Sequence, residues 1–80
     1  MKYHGKISFT MDKDHPDIKY VPDWKEDKIL TIEDVYMFSG RYGYSEDYIM
    51  DYIKHDLSLV AGGGYNTNHI HNVVFDIRKE

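Results

Sequence analysis

The chain has 80 residues, with fourteen Asp and Glu against ten Lys and Arg, five His and no Cys. That length fits one small domain with a thin core, and the missing cysteines exclude disulfide staples and cysteine-ligated zinc. A formal charge of −4 disfavours a protein that coats nucleic acid by neutralising phosphates.

Leu, Ile, Val and Phe supply only 19 of the 80 residues, and eight more are Tyr. Aromatic rings must therefore take over part of the packing, and a Tyr left at the surface becomes a contact residue with an apolar body and a polar tip. Charge is unevenly placed. Residues 1–10 are basic, the stretch 11–34 holds eight acids against four Lys, and residues 61–80 are neutral.

Lys2 to Asp12 alternates with period two. Tyr3, Gly5, Ile7, Phe9 and Met11 share one face and His4, Lys6, Ser8 and Thr10 the other, so a half-buried strand is expected. Residues 13–28 follow as a long loop, because Pro16 and Pro22 interrupt any regular element and Asp14, Asp17, Asp23 and Asp27 favour turns. Ile18, Tyr20 and Trp24 are the expected anchors of that loop.

From Ile29 the spacing of Ile32, Val35 and Tyr36, with Thr31 three residues ahead of Asp34 as an imperfect capping box, predicts a short helix ending at Gly40. Ser39 to Tyr44 reads as a linker. Ser45 caps a second helix of about 15 residues, with Glu46 and Asp47 in its first turn and Ile49, Tyr52, Ile53, Leu57 and Val60 on its apolar face. Gly62, Gly63 and Gly64 stop it; they follow a helix rather than open one, so they are no phosphate loop. Tyr65 to Asn68 reads as a turn. His69 to Arg78 reads as a strand, with Val73, Phe75 and Ile77 on one face and Ile70, Asn72, Val74 and Asp76 on the other. A shorter helix with Leu57 to Gly64 as a hairpin strand is the alternative.

The expected fold is a single α+β domain: a small antiparallel sheet of two or three strands with two helices packed on one face. The expected core is Ile7, Phe9, Ile32, Val35, Ile49, Ile53, Leu57, Val73, Phe75 and Ile77. The first ten residues lack the apolar stretch of a signal peptide, and no apolar run nears the roughly 18 residues that span a membrane, so a cytoplasmic protein is expected.

Three functional readings follow. The first is a non-enzymatic protein, without cofactor, that binds another protein, one with a basic groove fitting its charge best. Asp14, Asp17, Asp23, Glu26 and Asp27 would steer that partner, and Tyr20, Trp24, Arg41, Tyr42 and Tyr44 would anchor it. In composition the chain is similar to small phage or mobile-element proteins that inhibit host machinery, such as anti-CRISPR and anti-restriction proteins. A thin core also fits a homodimer. The second reading comes from element order: helix, turn, helix, glycine stop and strand resemble a winged helix-turn-helix module, which implies nucleic-acid binding. Here the proposed reading helix carries Glu46, Asp47, Asp51 and Asp56 against a single Lys54, which repels phosphates. The third reading is a metal-dependent enzyme on His69 and His71, whose side chains share a strand face.

Overall fold

The computed structural model describes residues 1–64 and 66–80. Tyr65, the first residue of the expected turn, lies outside the described residues. The described residues form an α+β fold of three strands and one α-helix, with single turns of 3-10 helix at Ile18–Tyr20 and Gly40–Tyr42. β1 spans Lys2–Met11, β2 Leu30–Met37, α1 Glu46–Ala61 and β3 Ile70–Lys79. All pairings are antiparallel, in the order β2-β1-β3.

β1 is the central strand because its alternation is complete. Its odd residues Tyr3, Gly5, Ile7, Phe9 and Met11 are buried against the helix. Its even residues His4, Lys6 and Ser8 lie on the opposite face, which no helix covers; there His4 and Lys6 reach Glu33 at 3.9 and 3.8 Å.

The expected helix from Thr31 is β2, so one helix packs on the sheet, not two. Tertiary pairing overrides the capping-box pattern. Thr31, Ile32, Val35 and Tyr36 are β-branched or aromatic, and each opposes a β1 residue, Ile7 facing Ile32 and Tyr3 facing Tyr36. The period of two was hidden by Asp34, an acid on the inner face between Ile32 and Tyr36. Val35, expected in the core, consequently points out and is exposed. The helix-turn-helix order goes with it: the segment that would be the supporting helix is a strand.

α1 runs as expected. Ser45 Oγ accepts the Tyr48 N–H at 3.2 Å, and Glu46 and Asp47 occupy the first turn. Its buried stripe is Ile49, Ile53, Leu57 and Ala61, one residue every turn, while Tyr52 and Val60 stay exposed. Leu57 to Ala61 is helix, not strand. α1 packs chiefly on β1, and Gly5 permits the approach: a Cβ there would stand 2.8 Å from Ile53 Cγ2. Gly62 N–H closes the helix on the Ser58 carbonyl at 2.9 Å. Gly62 also lies so close to the Asn66 backbone that no Cβ fits, so the glycine run acts both as a stop and as a crossing point.

β3 departs from simple alternation. Ser8 pairs with Val74 but Thr10 pairs with His71, so β3 contains one extra residue there, and Asn72 takes the positive φ of 55° that marks such a bulge. The bulge changes the phase of the strand. Ile70, expected on the outer face, is buried opposite Met11, in line with the half-buried Phe75 and Ile77, whereas Val73 is partly exposed. The described residues contain no helix long and apolar enough to cross a membrane.

Candidate partner-binding surface

The residues proposed as a binding set fall at opposite ends of a molecule 43 Å long and 21 × 18 Å across. The loop from Asp12 to Ile29 joins the Met11 end of β1 to β2. The linker from Phe38 to Ser45 leaves β2 at the other end, where Phe38 N–H donates to the Met1 carbonyl at 2.8 Å.

The loop end is held by internal hydrogen bonds. His15 is 2 % exposed. Asp17 N–H donates to its Nδ1 at 2.9 Å, so the ring hydrogen sits on Nε2 and donates to the Ala61 carbonyl at 2.7 Å. One imidazole thereby ties the loop to the end of α1. Trp24 Nε1–H donates to the Met11 carbonyl at 2.9 Å, and its ring packs against the core beside Ile18 and Val21. Trp24 is therefore an anchor of the loop, as expected. Tyr20 is not one: it is 71 % exposed, with Lys19 Nζ 5.2 Å from its ring centre. Asp14, Asp23, Glu26 and Asp27 are exposed and Asp17 is half-buried.

Beside this loop, Asp12 lies between the two histidines of the expected metal pair. Its carboxylate accepts hydrogen bonds from His69 Nδ1 at 3.1 Å and from His71 Nε2 at 3.0 Å. The His71 bond, aided by the Asp14 N–H and His69, outweighs desolvation and holds Asp12 down to about 2. The nitrogens that face the carboxylate thus carry hydrogens instead of lone pairs. Among the described residues no three His, Asp or Glu side chains are arranged to hold a metal ion.

The linker end is built from rings. Tyr3 meets Phe38 edge-on with centroids 5.9 Å apart, and Phe38 meets Tyr44 and Tyr52 at 5.9 and 5.6 Å. Tyr44 stacks on Tyr48 at 5.1 Å with planes 8° apart, and Tyr42 leans on Tyr44 at 5.8 Å. Such pairs prefer edge-to-face or offset-stacked geometry and add to simple burial. Tyr52 is edge-on to Tyr36, whose hydroxyl donates to Asp56 at 2.7 Å. Burial, reinforced by the Asp56 carboxylate, pushes the Tyr36 phenol well above its ordinary value.

The inner rings Tyr3 and Tyr36 are core residues. The outer ones are not: Tyr42 is 69 %, Tyr48 51 % and Tyr52 49 % exposed. Tyr48 and Tyr52 are four residues apart and share one face of the helix; Tyr44, just ahead of the Ser45 cap, continues the row through its stack on Tyr48. Glu46, Asp47 and Asp51 are exposed on the same helix, and Arg41 is exposed in the linker, its N–H donating to Ser39 Oγ at 3.2 Å.

Of this ring cluster the sequence singles out Tyr42 and Tyr44; Tyr48 and Tyr52 join it in the structure, and their spacing of four from Tyr44 is the signal in the sequence. Nothing local marked His15 or Asp12, whose partners lie 46 and 57 to 59 residues away. Comparison with protein-family models, curated proteins and solved structures finds no match to this chain.

Proposed function

We propose that this protein acts by binding, not by catalysis, and that the tyrosine row at the linker end is the surface it uses, for a cationic, arginine-bearing segment of another protein. One observation carries this reading: Tyr48 and Tyr52 remain about half exposed on a helix whose neighbouring side chains are carboxylates, and the partly exposed Tyr44, just ahead of its cap, stacks on Tyr48 and so extends their row. Tyr faces attract guanidinium groups, and carboxylates at their margin supply charge-assisted hydrogen bonds. Tyr is also the residue type enriched at binding hot spots, because it brings a large rigid area at low entropic cost. The four carboxylates of α1 against one Lys favour a basic protein over a nucleic acid.

Charges at the two ends act separately. Screening at physiological salt has a length of about 8 Å, far below the 43 Å long axis. Asp14, Asp17, Asp23, Glu26 and Asp27 therefore do not reinforce a contact made at Tyr44 and Tyr48. An inhibitor that occupies a basic groove of host machinery would work in this manner, its rings filling the groove and its acids meeting the lysines and arginines.

The test is titration of a labelled arginine-rich peptide, with duplex DNA as the parallel probe. Replacing Tyr44 and Tyr48 together by Ala leaves net charge unchanged and should weaken peptide binding about tenfold or more. Replacing Asp23 and Asp27 by Asn should change it little. Unchanged binding in the tyrosine variant, or tight salt-dependent binding of duplex DNA, would refute the reading.

A further inference from the structure

The two edges of the sheet differ, and the hydrogen bonds at the strand ends show how. Phe38 N–H donates to the Met1 carbonyl at 2.8 Å. Backbone groups alternate in direction along a strand, so the even residues of β2 face β1 and the odd ones face outward. Glu80 N–H donates to the Lys2 carbonyl at 2.9 Å. By the same alternation, Val73, Phe75, Ile77 and Lys79 present their backbone groups to the open edge of β3.

The β2 edge is guarded. The outward N–H of Val35 is taken by the carboxylate of Asp34 at 2.7 Å, and Asp34 opposes Gly5 on the helix side of the sheet. An inward-set charge on an edge strand is a known block to strand addition.

On the β3 edge the inward-set charge is Lys79, at the end of the strand opposite Tyr3; from Val73 to Ile77 there is no such guard, and among the described residues these backbone groups have no partner. The helix leaves this edge partly bare: Val73 is exposed and Phe75 and Ile77 are only half-buried. An open groove of about 510 Å³ runs beside them, floored by Ile70, Val73 and Phe75 and rimmed by Lys54 and Ser58.

We propose that a second copy of this chain occupies this edge, β3 pairing antiparallel with β3 about a twofold axis at Ile77. The register follows from the outward-facing residues and from charge. With Ile77 opposite Ile77, Phe75 falls opposite Lys79 of the second copy, and these odd residues exchange backbone hydrogen bonds. On the uncovered face Asp76 falls opposite Arg78 of the second copy, twice. Asp76 and Arg78 already touch within one chain at 3.1 Å, so the four side chains close into a ring of alternating charge. On the helix side Ile77 meets Ile77 of the second copy, and the aliphatic stem of Lys79 lies along Phe75 of the second copy. The tyrosine row lies over β2, on the far side of β1, and both rows stay free.

Sedimentation equilibrium across a concentration series tests this. The protein should pass from monomer to dimer as concentration rises. Asp76→Arg alone and Arg78→Asp alone each set like charges opposite each other at two places and should raise the dimer dissociation constant at least about tenfold. Asp76→Arg combined with Arg78→Asp restores the opposition and should restore the dimer. All these positions are exposed, so circular dichroism should be unchanged. In the unmodified protein, amide exchange at Phe75 and Ile77 should slow as the dimer forms. A chain that stays monomeric to about 1 mM, where association would be worth less than roughly 4 kcal/mol, overturns the proposal. So does a dimer indifferent to the single reversals, a double variant no better than the singles, or concentration-independent exchange at Phe75 and Ile77.

Discussion

The loop end and the linker end of this molecule solve the same problem in opposite ways. Each must fasten a connecting segment, with no more than one turn of 3-10 helix among its described residues, to a small core. The loop end does it with directed polar bonds: His15 to Ala61 and Asp17, Trp24 to Met11, and the two histidines to Asp12. The linker end has the Phe38 and Arg41 N–H bonds to Met1 and Ser39, but its side chains hold one another by ring contacts. Trp24 and His15 are consequently committed to the fold, whereas Tyr42, Tyr48 and Tyr52 keep about half or more of their surface exposed.

This contrast can be tested from its strongest joint downward. His15→Ala removes a buried ring and leaves the Ala61 carbonyl and Asp17 N–H without their partner, a combination of cavity and lost bonds worth about 3 kcal/mol. Urea unfolding should show that loss, while binding at the tyrosine row persists in conditions where the variant is folded. If both properties fell together, the two ends would not be independent. Trp24→Phe keeps most of the ring and deletes the N–H that reaches Met11, so it should cost about 1 kcal/mol.

The smallest effect is the acid response at Asp12. Its folded value of about 2 lies below the ordinary unfolded value near 3.9. A depressed carboxylate contributes stability that is complete above the unfolded value and is lost as pH falls from about 4 through about 2. Asp12→Asn should therefore narrow the gap to the unmodified protein across that window. A variant whose unfolding midpoint keeps a constant offset from pH 5 to pH 2 would show that the histidine contacts do not stabilise the carboxylate.

Much of this architecture is legible in the sequence, and the exceptions have physical causes. β1 and α1 carry unbroken periodicity, and Ser45 and Gly62 end the helix where their chemistry suggests. β2 was mistaken for a helix because Asp34 interrupts the inner face and Thr31 imitates a cap. Only its pairing with β1 reveals the strand. β3 is legible as a strand and its faces are as expected from Val74 onward, but before the bulge Ile70 takes the opposite face, since a one-residue bulge at a non-glycine position leaves no clear mark. Among the proposed binding residues, Tyr42 and Tyr44 belong to the ring cluster, Tyr20 stands alone, and Trp24 is held by Met11. The histidine pair was visible as a spacing, whereas the carboxylate between the two rings comes from a distant strand end.

Asp34, which obscured the strand, has one more consequence. A sheet with two receptive edges can grow without limit, each added strand exposing the next template, and that growth is the geometry of a fibre. Here the Val35 N–H is already satisfied by a carboxylate from its own strand, and that carboxylate stands on the helix side of the same margin. A strand arriving at β2 would have to displace the bond and cover the charge. The two margins are therefore unequal templates, and growth by repeated addition is opposed at one of them by a single acidic side chain.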